Sequence, residues 1–248
     1  MGTRVRGRCP RRVQGSALVF MLGRNSSITD GRIFIGSRRY SSWSLRGWLA
    51  VRLAGLAVEE VVLPVSGTGA TPAIRAASPS GLVPYLEHRG HAIWDSLAIA
   101  EYCAEIEPAL WPADSLARAH ARAISAEMHA GFRALRQGMP MNLGRHTPGF
   151  GQSAETRADI DRIEAIWGET RARFGAGGRY LFGEHFTIAD AMYAPVVARF
   201  LSYAPDLTPE SRAYAAAVRG FPLVAQWYEA AAAEPAAWRI AKYEAPPA

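Results

Sequence analysis

Apolar and polar positions change period along this chain, and each change marks an element. GRIFIGS, residues 31–37, is a short apolar run with β-branched members, which predicts a strand. From Ser44 the apolar positions are Leu45, Trp48, Leu49, Leu53 and Leu56. Spacings of three and four place them on one face of a helix, with Gly55 as its stop. VEEVVLP, 58–64, alternates as a second strand and ends at Pro64. SGTGATP, 66–72, reads as a loop, and TPAIRAAS as a short helix with Pro72 in its first turn. VPYLEHRGHAIWD holds two short strands around Arg89-Gly90, and SLAIAEYCAEI, 96–106, is helical. This order predicts a parallel pairing of the first two strands across a helical crossover and a hairpin of the last two.

EPALWPAD, 107–114, carries two prolines and one apolar anchor, Trp111, and reads as a connection. After it the period is helical throughout. Residues 115–138 predict one long helix, 139–151 a Pro/Gly loop, and SAETRADIDRIEAIWGETRARF a second long helix. TIADAMYAPVVARFLSY, TPESRAYAAAVRG and FPLVAQWYEAAAAE follow as three more. The expected architecture is an α/β unit over residues 31–108, a linker at 109–113 and an all-helical unit over 114–248.

Composition narrows the function classes. At 248 residues and 49% hydrophobic, the chain buries a sizeable core. The net charge of +6 would suggest a nucleic-acid partner, but its location argues otherwise. Arg4, Arg6, Arg8, Arg11, Arg12 and Arg24 supply all six charges within residues 1–24, which hold no acid, so the rest of the chain sums to zero. No basic face within the body points to nucleic acid. The Arg-rich start fits a transit peptide or, the preferred reading, a start upstream of Met21, and residues 1–30 are set aside from the fold. Cys9 and Cys103 form no CxxC pair, and six scattered histidines offer no metal spacing. A reducing cytoplasm is the expected setting, with no metal. No apolar run approaches the roughly 18 residues of a membrane span.

Four motifs bear on chemistry. Ser41, Ser42 and Ser44 precede the first helix, whose opening N–H groups and dipole favour either a capping hydroxyl or a bound anion. SPSGLVPYL leads through Val83-Pro84 into a strand; a trans proline is the ordinary reading. Asp95 and Ser96 open another helix, as caps or as holders of a ligand carboxylate. Thr187 and Asp190 have capping-box spacing and read as structural. His88 and His91, flanking a turn, read as solvated, and His120 and His129, nine apart in the long helix, as surface or core residues rather than ligands.

In this order and at these separations, SSWSLRGWLAVRLAG, SPSGLVPYL, DSLAIAEY and FTIADAMYAP resemble the cytosolic glutathione S-transferases, with a first turn like the serine-type, bacterial, zeta, tau and theta members. The resemblance covers residues 31 to about 240. It implies a thioredoxin-like domain followed by an all-α domain, a homodimer, and glutathione as co-substrate. It assigns Ser41 to the hydrogen bond that activates the glutathione sulfur, with Ser42 and Ser44 as alternatives. Val83, before a presumed cis Pro84, would pair with the cysteinyl part, and Asp95 and Ser96 would hold the γ-glutamyl end. Tyr40, Trp43, Phe132 and Arg136 would wall the pocket for a small electrophile. Leu82 stands where the family often has a Lys, Arg or Gln for the glycine carboxylate. Trp43 stands where maleylacetoacetate isomerases have Cys, which lowers that activity in the ranking. Lack of any cysteine in the turn disfavours a glutaredoxin-like reductase. The leading expectation is therefore glutathione conjugation to an electrophile. Glutathione-dependent isomerase, reductase or peroxidase activity, or a non-catalytic binding protein, are the alternatives.

Overall fold

The computed structural model describes Met1, residues 29–67 and residues 70–245. Nearly all of the basic N-terminal segment, including Met21, lies outside the described residues.

β1 (Gly31–Gly36) is the centre of a four-stranded sheet. β2 (Glu59–Leu63) pairs with it in parallel, Phe34 facing Val61. On its other side β3 (Tyr85–His88) pairs antiparallel, Phe34 facing Tyr85, and β4 (His91–Trp94) closes the hairpin. The parallel β1–β2 pair and the β3–β4 hairpin are as the sequence predicts, and the antiparallel β1–β3 pairing joins them in the order β2-β1-β3-β4. Ile33, Ile35 and Leu86 are fully buried. The crossover is α1 (Ser42–Leu53), which buries Leu45, Trp48 and Leu49. α2 (Pro72–Ala77) and α3 (Ser96–Ile106) complete this half. Gly47 matters to the geometry: a Cβ there would lie 2.7 Å from Cγ of Pro84, so only glycine lets α1 approach the start of β3.

A 3₁₀ turn at Pro108–Leu110 leads into the helical half. One expectation fails here. The period over 115–138 predicts a single helix, but the chain forms α4 (Ser115–Ala130) and α5 (Arg133–Gly138). Phe132 has φ 59°, a left-handed conformation uncommon outside glycine, and its buried ring packs in the core. Polar side chains cover the groups freed by the break. Arg136 Nε donates to the Gly131 carbonyl at 3.0 Å, and Asp159 accepts the Leu135 N–H at 2.9 Å. Periodicity registers only the apolar face, which both segments share, so it does not see the break.

α6 (Ala154–Phe174), α7 (Ile188–Tyr203), α8 (Pro209–Arg219) and α9 (Pro222–Ala232) follow, then the short α10 (Ala241–Glu244). α7 is buried on nearly every face, as expected of a helix apolar all round. It packs against α1, α4 and α8 and so ties the two halves together. Trp227 of α9 reaches the α/β half, its ring tilted against Trp48 at 5.2 Å between centroids, and donates its indole N–H to the Arg38 carbonyl. The expectation that His88 is solvated also fails: it is buried and its Nδ1 lies 2.7 Å from the Tyr102 hydroxyl.

Candidate active site

Two adjoining cavities lie along the end of the sheet where α1 and α3 begin. Trp43, Leu82 and Val83 line both. One, of about 350 Å³, continues over Pro84, Asp95, Ser96 and His129. The other, of about 210 Å³, continues over Tyr40, Ser41, Ser66, Ile240 and Tyr243. The Val83-Pro84 bond is cis, as the resemblance presumes and the ordinary reading does not.

Of the three serines, the fold brings only Ser41 to the cavity. It is the N-cap of α1, accepting the Ser44 N–H at 3.3 Å and donating to Ser44 Oγ at 2.8 Å. Ser44 is fully buried, and its Oγ also accepts the Gly36 N–H at 2.9 Å, which ties the helix to the end of β1. Ser42 is buried facing the opposite way, with Arg199 Nη2 at 3.4 Å from its Oγ. A helix turns about 100° per residue, so neighbouring hydroxyls cannot all face one ligand. Ser42 and Ser44 therefore drop out of the ligand-facing set. The paired hydroxyls give Ser41 one useful property. If the Ser41 proton turns into the cavity, Ser44 supplies a proton to Ser41 in its place, and the local bonds stay satisfied.

Behind this turn sit three arginines from three helices. The guanidinium groups of Arg46 and Arg136 both lie over the Trp43 ring, at 4.8 and 4.7 Å from its centre. Arg46 Nε donates to the Met192 carbonyl, while its two terminal nitrogens are buried without a hydrogen-bond partner among the described residues. Burial, and then the neighbouring Arg136 and Arg199, hold Arg46 well below the ordinary arginine range. Burial followed by Arg136 pushes Arg199 down to about 9. None of the ion pairs formed among the described residues involves these three arginines. Asp95 acts on Arg46 and Asp159 on Arg136 only at longer range.

The remaining expected residues divide. Asp95 caps α3, accepting the Leu97 N–H at 2.8 Å, and has φ 77°. Ser96 is buried and its Oγ has no hydrogen-bond partner among the described residues. Both line the larger cavity, as do Val83 and Pro84. Tyr40 lines the smaller one, but its hydroxyl is committed, donating to Glu244 at 2.6 Å and accepting the Ile240 N–H at 3.1 Å. Burial, then the bond to Glu244, pushes this phenol up to about 12, so it stays protonated. Phe132 belongs to the core and not to the pocket wall, and Arg136 acts through the face of Trp43. Sequence reasoning missed His129 and the tail residues Ile240 and Tyr243. No local motif signals them, because they arrive from the helical half and from about 200 residues downstream. Among the described residues no group of three or more His, Cys, Asp or Glu is placed to hold a metal. Among them, too, no helix is long and apolar enough to cross a membrane.

This architecture has known relatives. Residues 40–106 match the model of the Glutathione S-transferase, N-terminal domain, and residues 118–230 that of the Glutathione S-transferase, C-terminal domain. The chain belongs to the glutathione S-transferase family. It is 29% identical over 175 residues to a probable maleylacetoacetate isomerase of Caenorhabditis elegans, covering 69% of this chain and 79% of that protein. It is 30% identical over 179 residues to the maleylacetoacetate isomerase of Rattus norvegicus, with the same coverage. A maleylpyruvate isomerase of Ralstonia sp is 31% identical over 146 residues, 55% of this chain and 67% of that one. Among solved structures, a glutathione transferase homolog from Burkholderia with bound glutathione superposes with a TM-score of 0.64 at 20% identity, covering 83% of this chain and all of that one. A theta class enzyme from Xanthomonas axonopodis pv. citri with glutathione bound gives 0.58 at 24% identity, covering 84% and 99%. These structural likenesses establish the fold.

Proposed function

We propose that this chain is a glutathione-dependent isomerase, in which Ser41 stabilises the glutathione thiolate and the thiolate adds reversibly to an electron-poor cis double bond. The observation that carries the reading is the placement of Ser41: the one serine of its cluster on the cavity, at a helix N-terminus, backed by Ser44. In this reading glutathione lies along both cavities, its γ-glutamyl end at Asp95 and Ser96 and its cysteinyl part beside Val83 and Pro84. Leu82 is exposed and offers the glycine carboxylate nothing polar. The relatives' names favour isomerisation over net conjugation and outweigh the presence of Trp43 in the turn.

The magnitudes are adequate. Lowering a thiol pKa near 8.5 by two units takes about 2.7 kcal/mol. A hydrogen bond to a charged acceptor contributes about 1.5–3 kcal/mol. The helix N-terminus adds about 0.3–1 kcal/mol, up to roughly 2. No general base is required. The sulfur adds to the β-carbon of the alkene, whose electron pair moves onto the conjugated carbonyl. The former double bond rotates, and the pair returns as the thiolate leaves. Glutathione is regenerated and the substrate differs only in geometry. An electrophile with a leaving group would instead end as a conjugate, the second reading.

The test is product analysis by NMR with glutathione and a cis-configured conjugated keto acid. Isomer without thiol consumption supports the proposal. Conjugate with stoichiometric thiol loss supports transferase activity. Neither product, with no glutathione bound at millimolar concentration, supports a binding protein. The same family reading carries a division into residues 31–108 and 114–248 about a 109–113 linker, a homodimer and a cytoplasmic location. Light scattering after size exclusion tests the dimer.

A further inference from the structure

The cavity over Asp95 and Ser96 has one lining side chain from the helical half, His129 in the last turn of α4. Its Nε2 lies 3.3 Å from Asp95 Oδ2, while Oδ1 accepts the Leu97 N–H. The two oxygens of this carboxylate are thus held from different halves of the molecule. Trp43 meets the His129 ring edge-on at 5.2 Å and fixes its plane. Asp95 itself has φ 77°, a strained backbone for a non-glycine residue, which persists only where surroundings over-determine it. Two polar atoms of this corner, Ser96 Oγ and His129 Nδ1, are buried without a hydrogen-bond partner among the described residues. A held carboxylate beside a spare hydroxyl matches an amino-acid head: the ammonium goes to Asp95, and the hydroxyl donates to the carboxylate.

We propose that His129 is a positioning residue for glutathione. By donating Nε2–H to Asp95 it aims the remaining lone pairs of that carboxylate at the γ-glutamyl ammonium, so recognition of the co-substrate depends on the helical half. The inference rests on the glutathione reading, but its test separates the two. Calorimetry would compare wild type, His129→Ala and His129→Gln, with glutathione and with glutaryl-Cys-Gly, which lacks only the α-amino group. His129→Ala raises Kd for glutathione about tenfold. It leaves the affinity for glutaryl-Cys-Gly unchanged. His129→Gln, whose amide N–H reaches Asp95 from a similar position, recovers most of the loss. Thiolate absorbance at saturation is the same in all three. Equal affinity of wild type and His129→Ala for glutathione overturns the role of His129. So does an equal loss for both ligands, which would mark a packing defect. A wild type that binds no glutathione overturns the glutathione reading, and the inference with it.

Discussion

The starts of α1 and α7 are made from similar chemistry and serve different ends. At α7 every polar group is closed off. Asp190 is fully buried; one oxygen accepts the Leu181 N–H and the Tyr214 hydroxyl, the other the Thr187 N–H and hydroxyl. Burial raises the pKa of this carboxyl, and those four bonds pull against it. At α1 the cap is only half closed. Ser41 is partly exposed, has a rotatable proton shared with Ser44, and faces a cavity. A completely satisfied cap holds structure, whereas a cap with spare hydrogen-bonding capacity in a cavity is available to a ligand.

The largest expected effect breaks the closed end. Asp190→Ala leaves four buried donors unpaired and costs about 3–5 kcal/mol. Chemical denaturation would show it as a lower midpoint, or the protein would fail to fold. At the open end, Ser41→Ala should lower kcat/KM about 100-fold, through loss of a bond to a charged sulfur. It should cost only about 1 kcal/mol of stability as a lost cap. Similar losses of stability from both substitutions would erase the comparison. Ser44→Ala sharpens it, because Ser44 supports Ser41 and also binds Gly36. The expected cost is about 1–2 kcal/mol of stability, with a smaller fall in turnover than Ser41→Ala gives.

The smallest effect is a pH dependence. Burial, then the positive Arg89, lowers the pKa of His88 in the fold, with Asp30 opposing. The unfolded chain, near 6.5, then binds the proton more readily, so stability falls as pH drops through about 6.5 and is constant above it. Tm measured between pH 7.5 and 5.5 should decline, and His88→Gln should flatten that slope. Burial likewise lowers His120, so part of the slope remains in the variant.

Local features explain what was legible beforehand. The apolar run of GRIFIGS, the alternation of VEEVVLP, the stop at Gly55 and the apolar spacing of α1 and α3 act over a few residues, so the parallel strand pair, the hairpin and the helix starts were readable. The Thr187–Asp190 box was readable for the same reason. The break at Gly131-Phe132 was not, because tertiary contacts to Asp159 and the core stabilise a backbone that periodicity does not register. Ser42 and Ser44 were grouped with Ser41 because adjacency in sequence does not tell which way a helical side chain faces relative to a cavity. His129, Ile240, Tyr243 and the arginines Arg46, Arg136 and Arg199 belong to four different helices and a tail.

By itself the sequence determined the fold class, the resemblance to glutathione S-transferases and the short list from which Ser41 came, since propensity, capping and patterning are local. The tertiary structure alone decided which serine meets the cavity, which arginines lie behind it and that His129 reaches Asp95. Those facts depend on the angles at which α7 packs against α1 and α4 against α7, and packing angles are set by side-chain shapes contributed from distant parts of the chain.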